Sequence, residues 1–254
     1  MNHERRGSGS PLVLLHGIGH RWQAWTPVLD RLAAVHDVYA VDLPGFGASP
    51  LPDPVPARMP EVVEYVTAEL ARLGLDRPHV AGNSLGGAIA LELAAAGRVA
   101  SATALSPAGF WRPWERRWAV GVLRVHRFGT RVPGLGGALR VPPMRFVGFG
   151  MIVARPGRLS AETARADALA LRTGAGFTPV ARAARAYSFT KQISVPVTVA
   201  WGTRDRILLP RQAMRARAVL PAARHVWLPG CGHVPMSDDP ERVAGVILET
   251  TTPV

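Results

Sequence analysis

The sequence predicts an α/β protein in which a mostly parallel sheet carries helices on both faces and is interrupted by one mainly helical insertion. Three observations carry that expectation. Apolar, strand-like runs alternate with amphipathic helices from Pro11 onward, the alternation stops at Pro107, and it resumes near Val195. Within the first block, Gly82-Asn83-Ser84-Leu85-Gly86-Gly87 places a serine where an apolar run turns into a small-residue helix. At 254 residues, 48% hydrophobic and 19% charged, the chain can bury a sizeable core, and neither disorder nor a repeat array fits. We expect a core domain made of residues 1–106 and 193–254, with a cap inserted at residues 107–192.

The first strand of the alternation is the continuous apolar run at residues 11–15, which ends at His16-Gly17 and suits burial on both faces of a parallel sheet. A helix follows, capped by Thr26, with Pro27 in its first turn and Trp25, Val28, Leu29 and Leu32 on one face. Residues 37–42 form the next strand, closed by Pro44-Gly45-Phe46-Gly47, and a proline-rich loop leads to Pro60. Val63, Val66, Leu70 and Leu73 line a second helix that stops near Gly74. The strand at 79–82 delivers Ser84, and Leu85, Ala88, Ile89, Leu93 and Ala96 follow at helical spacing. Another strand, 100–105, ends at Ser106-Pro107. Such alternation calls for a parallel sheet whose functional loops gather at the carboxyl ends of its strands.

Residues 107–192 break the pattern, being rich in Trp, Arg, Gly and Pro with helical patches at 114–124 and 162–172. Beyond them come a strand at 195–201, a helix at 211–219, a last strand at 225–228 and a closing helix opened by Asp239-Pro240-Glu241.

The formal charge is +12, and 29 of the 30 basic residues are Arg, Lys191 being the exception. Arg and Ala run high together along the chain and no basic run exceeds two residues, so the surplus reads as compositional and no nucleic-acid partner is expected. The single cysteine, Cys231, excludes an intrachain disulfide and reads as a packed small residue. No stretch reaches the ~18 uncharged apolar residues of a membrane span, and the polar first residues lack a signal peptide's apolar core, so a cytoplasmic location is the expectation. The glycines of Gly134-Leu135-Gly136-Gly137 follow no buried strand and do not make a nucleotide site. No metal and no cofactor is expected.

A serine hydroxyl is a poor nucleophile unless a base lies within hydrogen-bond reach and a third group holds that base. Trp201-Gly202-Thr203-Arg204-Asp205 follows the penultimate strand, and Gly230-Cys231-Gly232-His233-Val234-Pro235 follows the last. Ser84, Asp205 and His233 thus stand in the order Ser, Asp, His, each beyond a separate strand. Asp205 is a better orienting acid than Asp238 or Asp239, which look like capping residues; His16 reads as a loop-positioning residue and Asn83 as a backbone hydrogen-bonding one.

On these motifs the chain resembles the α/β-hydrolase superfamily, in its serine-nucleophile branch, over about residues 11–106 and 195–251. The resemblance implies that Ser84 attacks a carbonyl, His233 moves the proton, Asp205 fixes the imidazole, and the N–H groups of Ile18 and Leu85 form an oxyanion hole. It also implies a cap in the place of the insertion. Family members carry an antiparallel strand pair before the oxyanion-loop strand, whereas at most one short strand fits ahead of Pro11.

Ester or thioester cleavage is the central expectation, with carbon–carbon bond hydrolysis of ring-cleavage products, cofactor-free haloperoxidase or perhydrolase chemistry, or small-molecule binding as a hydrolase-like receptor as alternatives. The aspartate-nucleophile branches, haloalkane dehalogenases and epoxide hydrolases, are disfavoured by the serine. The substrate is expected to be a small to medium acyl or aromatic molecule in a mostly apolar pocket touched by Gly17, Trp22, Trp111, Trp114, Trp118 and Val234. Trp22 either walls that pocket or packs the first helix, and the tryptophans at 111, 114 and 118 either face substrate or dock the insertion.

Overall fold

The computed structural model describes residues 1–252, so Pro253 and Val254, the end of the expected core segment, lie outside the described residues. One sheet organises the chain. Its strands are β1 (His3–Arg6), β2 (Ser10–Leu15), β3 (His36–Val41), β4 (His79–Asn83), β5 (Ser101–Leu105), β6 (Val197–Gly202) and β7 (Arg224–Leu228). They stand in the order β1-β3-β2-β4-β5-β6-β7, every pair parallel except β1 with β3, where His3 faces Val41. The single short strand that fits ahead of Pro11 is therefore an antiparallel edge. Leu12, Val13, Leu14 and Leu15 are wholly buried, which is why β2 reads as an unbroken apolar run rather than an alternating one.

Helices cover both faces. In the first block these are α1 (Thr26–Ala33), α2 (Met59–Arg72) and α3 (Leu85–Ala95), with α2 packed on α3. Between β5 and β6 lie α4 (Pro113–Gly129), α5 (Leu135–Ala138), α6 (Pro142–Phe149), α7 (Ala161–Thr173) and α8 (Phe177–Ala183). After β6 come α9 (Arg211–Val219), α10 (Pro235–Asp238) and α11 (Pro240–Thr251), the last packing against α1 and β5. α3 is buried almost throughout, so its sequence is apolar on every side rather than amphipathic. Among the described residues, no helix is long and apolar enough to cross a membrane.

One boundary differs from expectation. Thr26 is the first helical residue of α1 and caps nothing with its side chain, because a 3₁₀ turn at Trp22–Trp25 leads into the helix. That turn is nucleated instead by Asp42, whose carboxylate accepts the Trp22 N–H at 2.7 Å.

Candidate active site

β4 ends at Asn83 and α3 begins at Leu85, so Ser84 alone makes the reversal. Its backbone sits at φ +57° and ψ −109°, a region side-chain-bearing residues rarely hold, and hydrogen bonds with Leu105, Ala88 and Ala108 enforce it. A Cβ on Gly82 would run into the Gly86 carbonyl, and one on Gly86 into the Leu15 carbonyl. Only glycine lets strand and helix approach this closely. The Asn83 side chain donates to the carbonyls of Leu105 at 3.1 Å and His233 at 2.9 Å, joining the elbow to the loop after β7.

Asp205 and His233 meet at the carboxyl edge of the same sheet. His233 Nδ1 lies 2.8 Å from Asp205 Oδ2, and both side chains are buried. An ionised carboxylate only accepts, so Nδ1 carries the hydrogen, and in the neutral ring Nε2 is the acceptor. The other oxygen of Asp205 accepts the N–H groups of Ile207 at 2.9 Å and Leu208 at 2.8 Å, which fixes the acid in turn. Ser84 and His233 line one cavity; among the described residues no hydrogen bond joins Ser84 Oγ to the ring.

The loop after β2 borders the same space. His16 is fully buried; its Nδ1 donates to the Gly17 carbonyl at 2.7 Å and its Nε2 accepts the Leu43 N–H at 2.9 Å. Burial drives its pKa down to about 4, so the ring is a neutral strut between two loops. His20 N–H closes the turn on Gly17 O at 3.2 Å, while Ile18 N–H takes no backbone partner among the described residues. Leu85, as the first residue of α3, presents one of the unpaired amides of a helix start.

Asp238 is not a helix cap. It is fully buried, and its carboxylate accepts Gly232 N–H at 2.8 Å, Ala154 N–H at 2.9 Å and Arg155 N–H at 2.8 Å. Ile152 O receives the N–H groups of His233 at 2.9 Å and Val234 at 3.1 Å. The histidine loop is thereby laced to the segment after α6. Asp239 does cap, accepting Arg242 N–H at 3.1 Å. Cys231 is buried, and burial together with Asp238 and Asp239 pushes its thiol up to about 11, a packed and unreactive group.

Above Ser84 the β5–β6 helices enclose a cavity of about 310 Å³, walled by Leu123, Leu139, Phe149, Ile152 and Leu171. Gly17, Ile18 and Val234 lie on its wall, whereas Trp22, Trp114 and Trp118 do not. Trp114 stacks under Arg211, 4.6 Å from its guanidinium, and Trp118 donates its indole N–H to Arg206 O at 2.9 Å, so both dock α4 on the core. Trp111 lines a smaller recess of about 50 Å³ that also touches Ser84. Three titratable residues of the main wall escaped the sequence reading: His20, His126 and Asp167. His20 follows the glycine loop closely enough to have been noticed; His126 and Asp167 sit on α4 and α7 with no motif to announce them. Burial lowers the His20 pKa, opposed by Asp167.

The comparisons agree with this architecture. The model of the Alpha/beta hydrolase family matches residues 12–246. A pimeloyl-[acyl-carrier protein] methyl ester esterase of Aeromonas hydrophila is 44% identical over 91 residues, covering 36% of this chain and 34% of that protein, so the match spans about a third of that relative's length. The epoxide hydrolase EphH of Mycobacterium tuberculosis is 31% identical over 73% of this chain and 91% of its own. Among solved structures, a bacterial membrane phospholipase A superposes with a TM-score of 0.77 at 27% identity, over 97% of this chain and 81% of the other. With this sheet order and a match along nearly its whole length, the chain belongs to the alpha/beta hydrolase family.

Proposed function

We propose that the protein cleaves an ester or thioester of a small to medium apolar substrate through an acyl-enzyme on Ser84. One observation carries the reading: a buried, carboxylate-held imidazole whose free nitrogen shares an apolar cavity with a serine on a strained turn. In the proposed sequence His233 Nε2 takes the Ser84 proton as Oγ attacks the carbonyl, and Asp205 stabilises the imidazolium. The N–H groups of Ile18 and Leu85 receive the developing oxyanion, where loss of one donor costs about a hundredfold or more in rate. The proton then returns to the leaving group, and water repeats the cycle on the acyl-enzyme. The β5–β6 helices act as a cap that keeps bulk water from the intermediate.

The serine argues for this chemistry and against opening an epoxide with an aspartate nucleophile. A fluorophosphonate probe tests it. Wild type should be labelled at Ser84, and Ser84→Ala and His233→Ala should lose at least about a thousandfold in hydrolysis of a short p-nitrophenyl ester. Full activity in Ser84→Ala would refute the mechanism, and an unlabelled wild type would make the pocket a binding site. A panel of acyl esters, thioesters, lactones and a vinylogous diketone separates ester cleavage from carbon–carbon cleavage.

A further inference from the structure

The charge surplus is not spread over the molecule. Residues 107–192 hold 15 of the 30 basic residues but only three of the 18 acidic ones, so this segment carries the whole +12 and the rest of the chain is neutral. Arginine does run along the entire sequence; it is the acids that the segment lacks. Two of its three acids are further claimed from outside, Glu115 by Arg211 and Arg215 and Asp167 by Arg21. Among the described residues, none of the segment's own arginines pairs with a carboxylate.

The same helices expose hydrocarbon. Val125 is 70% exposed, Phe128 71% and Val147 77%, and Val132 and Phe146 are more than half exposed. Val125 and Val147 also line the main cavity, so the cavity opens through this apolar face. Arg124, Arg131 and Arg140 stand exposed among these residues. A nucleic acid or an acidic protein would satisfy the arginines and leave the valines and phenylalanines idle. An anionic bilayer satisfies both, with apolar side chains in the acyl boundary and guanidinium groups at the headgroups.

We propose that the face formed by α4 and α6 adsorbs to an anionic lipid surface with the cavity mouth against it, so that a lipophilic ester enters from the membrane. The substrate half rests on the hydrolase reading; adsorption does not, and Ser84→Ala protein should adsorb like wild type. Co-sedimentation with phosphatidylcholine–phosphatidylglycerol vesicles and with phosphatidylcholine vesicles tests it. Binding is expected to the anionic vesicles and to weaken as salt is raised. Arg124→Glu/Arg131→Glu/Arg140→Glu should lower partitioning by at least on the order of a hundredfold, at roughly fivefold for each of the three cationic charges lost. Phe128→Ser/Phe146→Ser should lower it by about tenfold or more. None of these five residues lines the cavity, so both variants should hydrolyse a dissolved short ester as wild type does, which also reports an intact fold.

Failure to bind anionic vesicles, or binding indifferent to both variants, overturns the proposal while leaving Ser84 labelling untouched. Binding to a soluble polyanion such as heparin without vesicle binding overturns it equally. Vesicle binding by a protein that the fluorophosphonate does not label keeps adsorption and removes the esterase.

Discussion

At the scale of single residues, the site depends on side chains that do no chemistry. Asp238 accepts three backbone N–H groups, one of them from Gly232 beside His233. Asp238→Ala leaves those donors unpaired in a buried place, a loss on the order of 3 kcal/mol or more. The effect should also be kinetic, since displacement of His233 by about an ångström costs on the order of a hundredfold. We expect kcat and the rate of fluorophosphonate labelling to fall together with KM little changed; a variant that is less stable but labels at the wild-type rate would confine Asp238 to a structural role. His16 makes a different prediction. Its pKa is lowered by burial to about 4, so below the free value of about 6.5 the unfolded chain takes up a proton that the folded one refuses. Stability from this residue is therefore complete at neutral pH and lost progressively between about pH 6.5 and 4, to an extent on the order of 3 kcal/mol. His16→Gln should flatten that part of the stability curve in urea titrations; an unchanged slope would show that other groups govern it.

Among elements, α4 is the first helix after β5 and is tied to the core by its N-terminal turn. Its N-terminal turn is held by Glu115, fully buried, whose carboxylate meets Arg215, lies 3.1 Å from Arg211 and accepts the Arg112 N–H at 2.7 Å. Burial pushes the Glu115 pKa up, but Arg215, the Arg112 amide and Arg211 together outweigh it and hold the acid ionised below its usual range. The carboxylate's contribution is therefore present at neutral pH and lost in acid. Because both arginines are partly exposed, Glu115→Gln should cost only about 2 kcal/mol, a fall in Tm of about 4–8 °C. A Tm unchanged in Glu115→Gln would mean that Trp114, Trp118 and apolar packing anchor α4 unaided. Legibility also divides at this scale. β2, β4 and β5 could be read because strands covered on both faces become apolar runs, and α1 because Val28, Leu29 and Leu32 repeat at helical spacing and are wholly buried. α5 and α6 were not read, being short and opened by Gly134 and Pro142. Periodicity says that Phe128 and Phe146 share faces with other apolar residues; it does not say what covers those faces, and both side chains are exposed among the described residues. Ser84, Asp205 and His233 were legible because each follows a recognisable strand, while Asp238 was hidden beside a true capping aspartate.

For the whole molecule, the decisive property is that residues 107–192 carry the whole +12 while the rest of the chain is neutral. Two electrostatic effects compete when salt is added. Screening weakens exposed pairs such as Arg5–Asp37 and Arg6–Asp30, which contribute little to stability. Screening also relieves repulsion among arginines that have no carboxylate partners, because the Debye length falls from about 30 Å at low salt to about 8 Å at physiological ionic strength. The unpaired arginines are concentrated in one segment while the pairs are scattered and weak, so repulsion should win. Raising sodium chloride from low to physiological concentration is expected to raise Tm by about 2–4 °C, equivalent to about 1 kcal/mol for a chain of this size. Arg124→Glu/Arg131→Glu/Arg140→Glu should start from a higher Tm and gain less from salt. A Tm that falls with salt in the wild type would mean that the scattered pairs outweigh repulsion among the arginines of residues 107–192, and that the charge is stabilised within the fold instead of held ready for an outside anion.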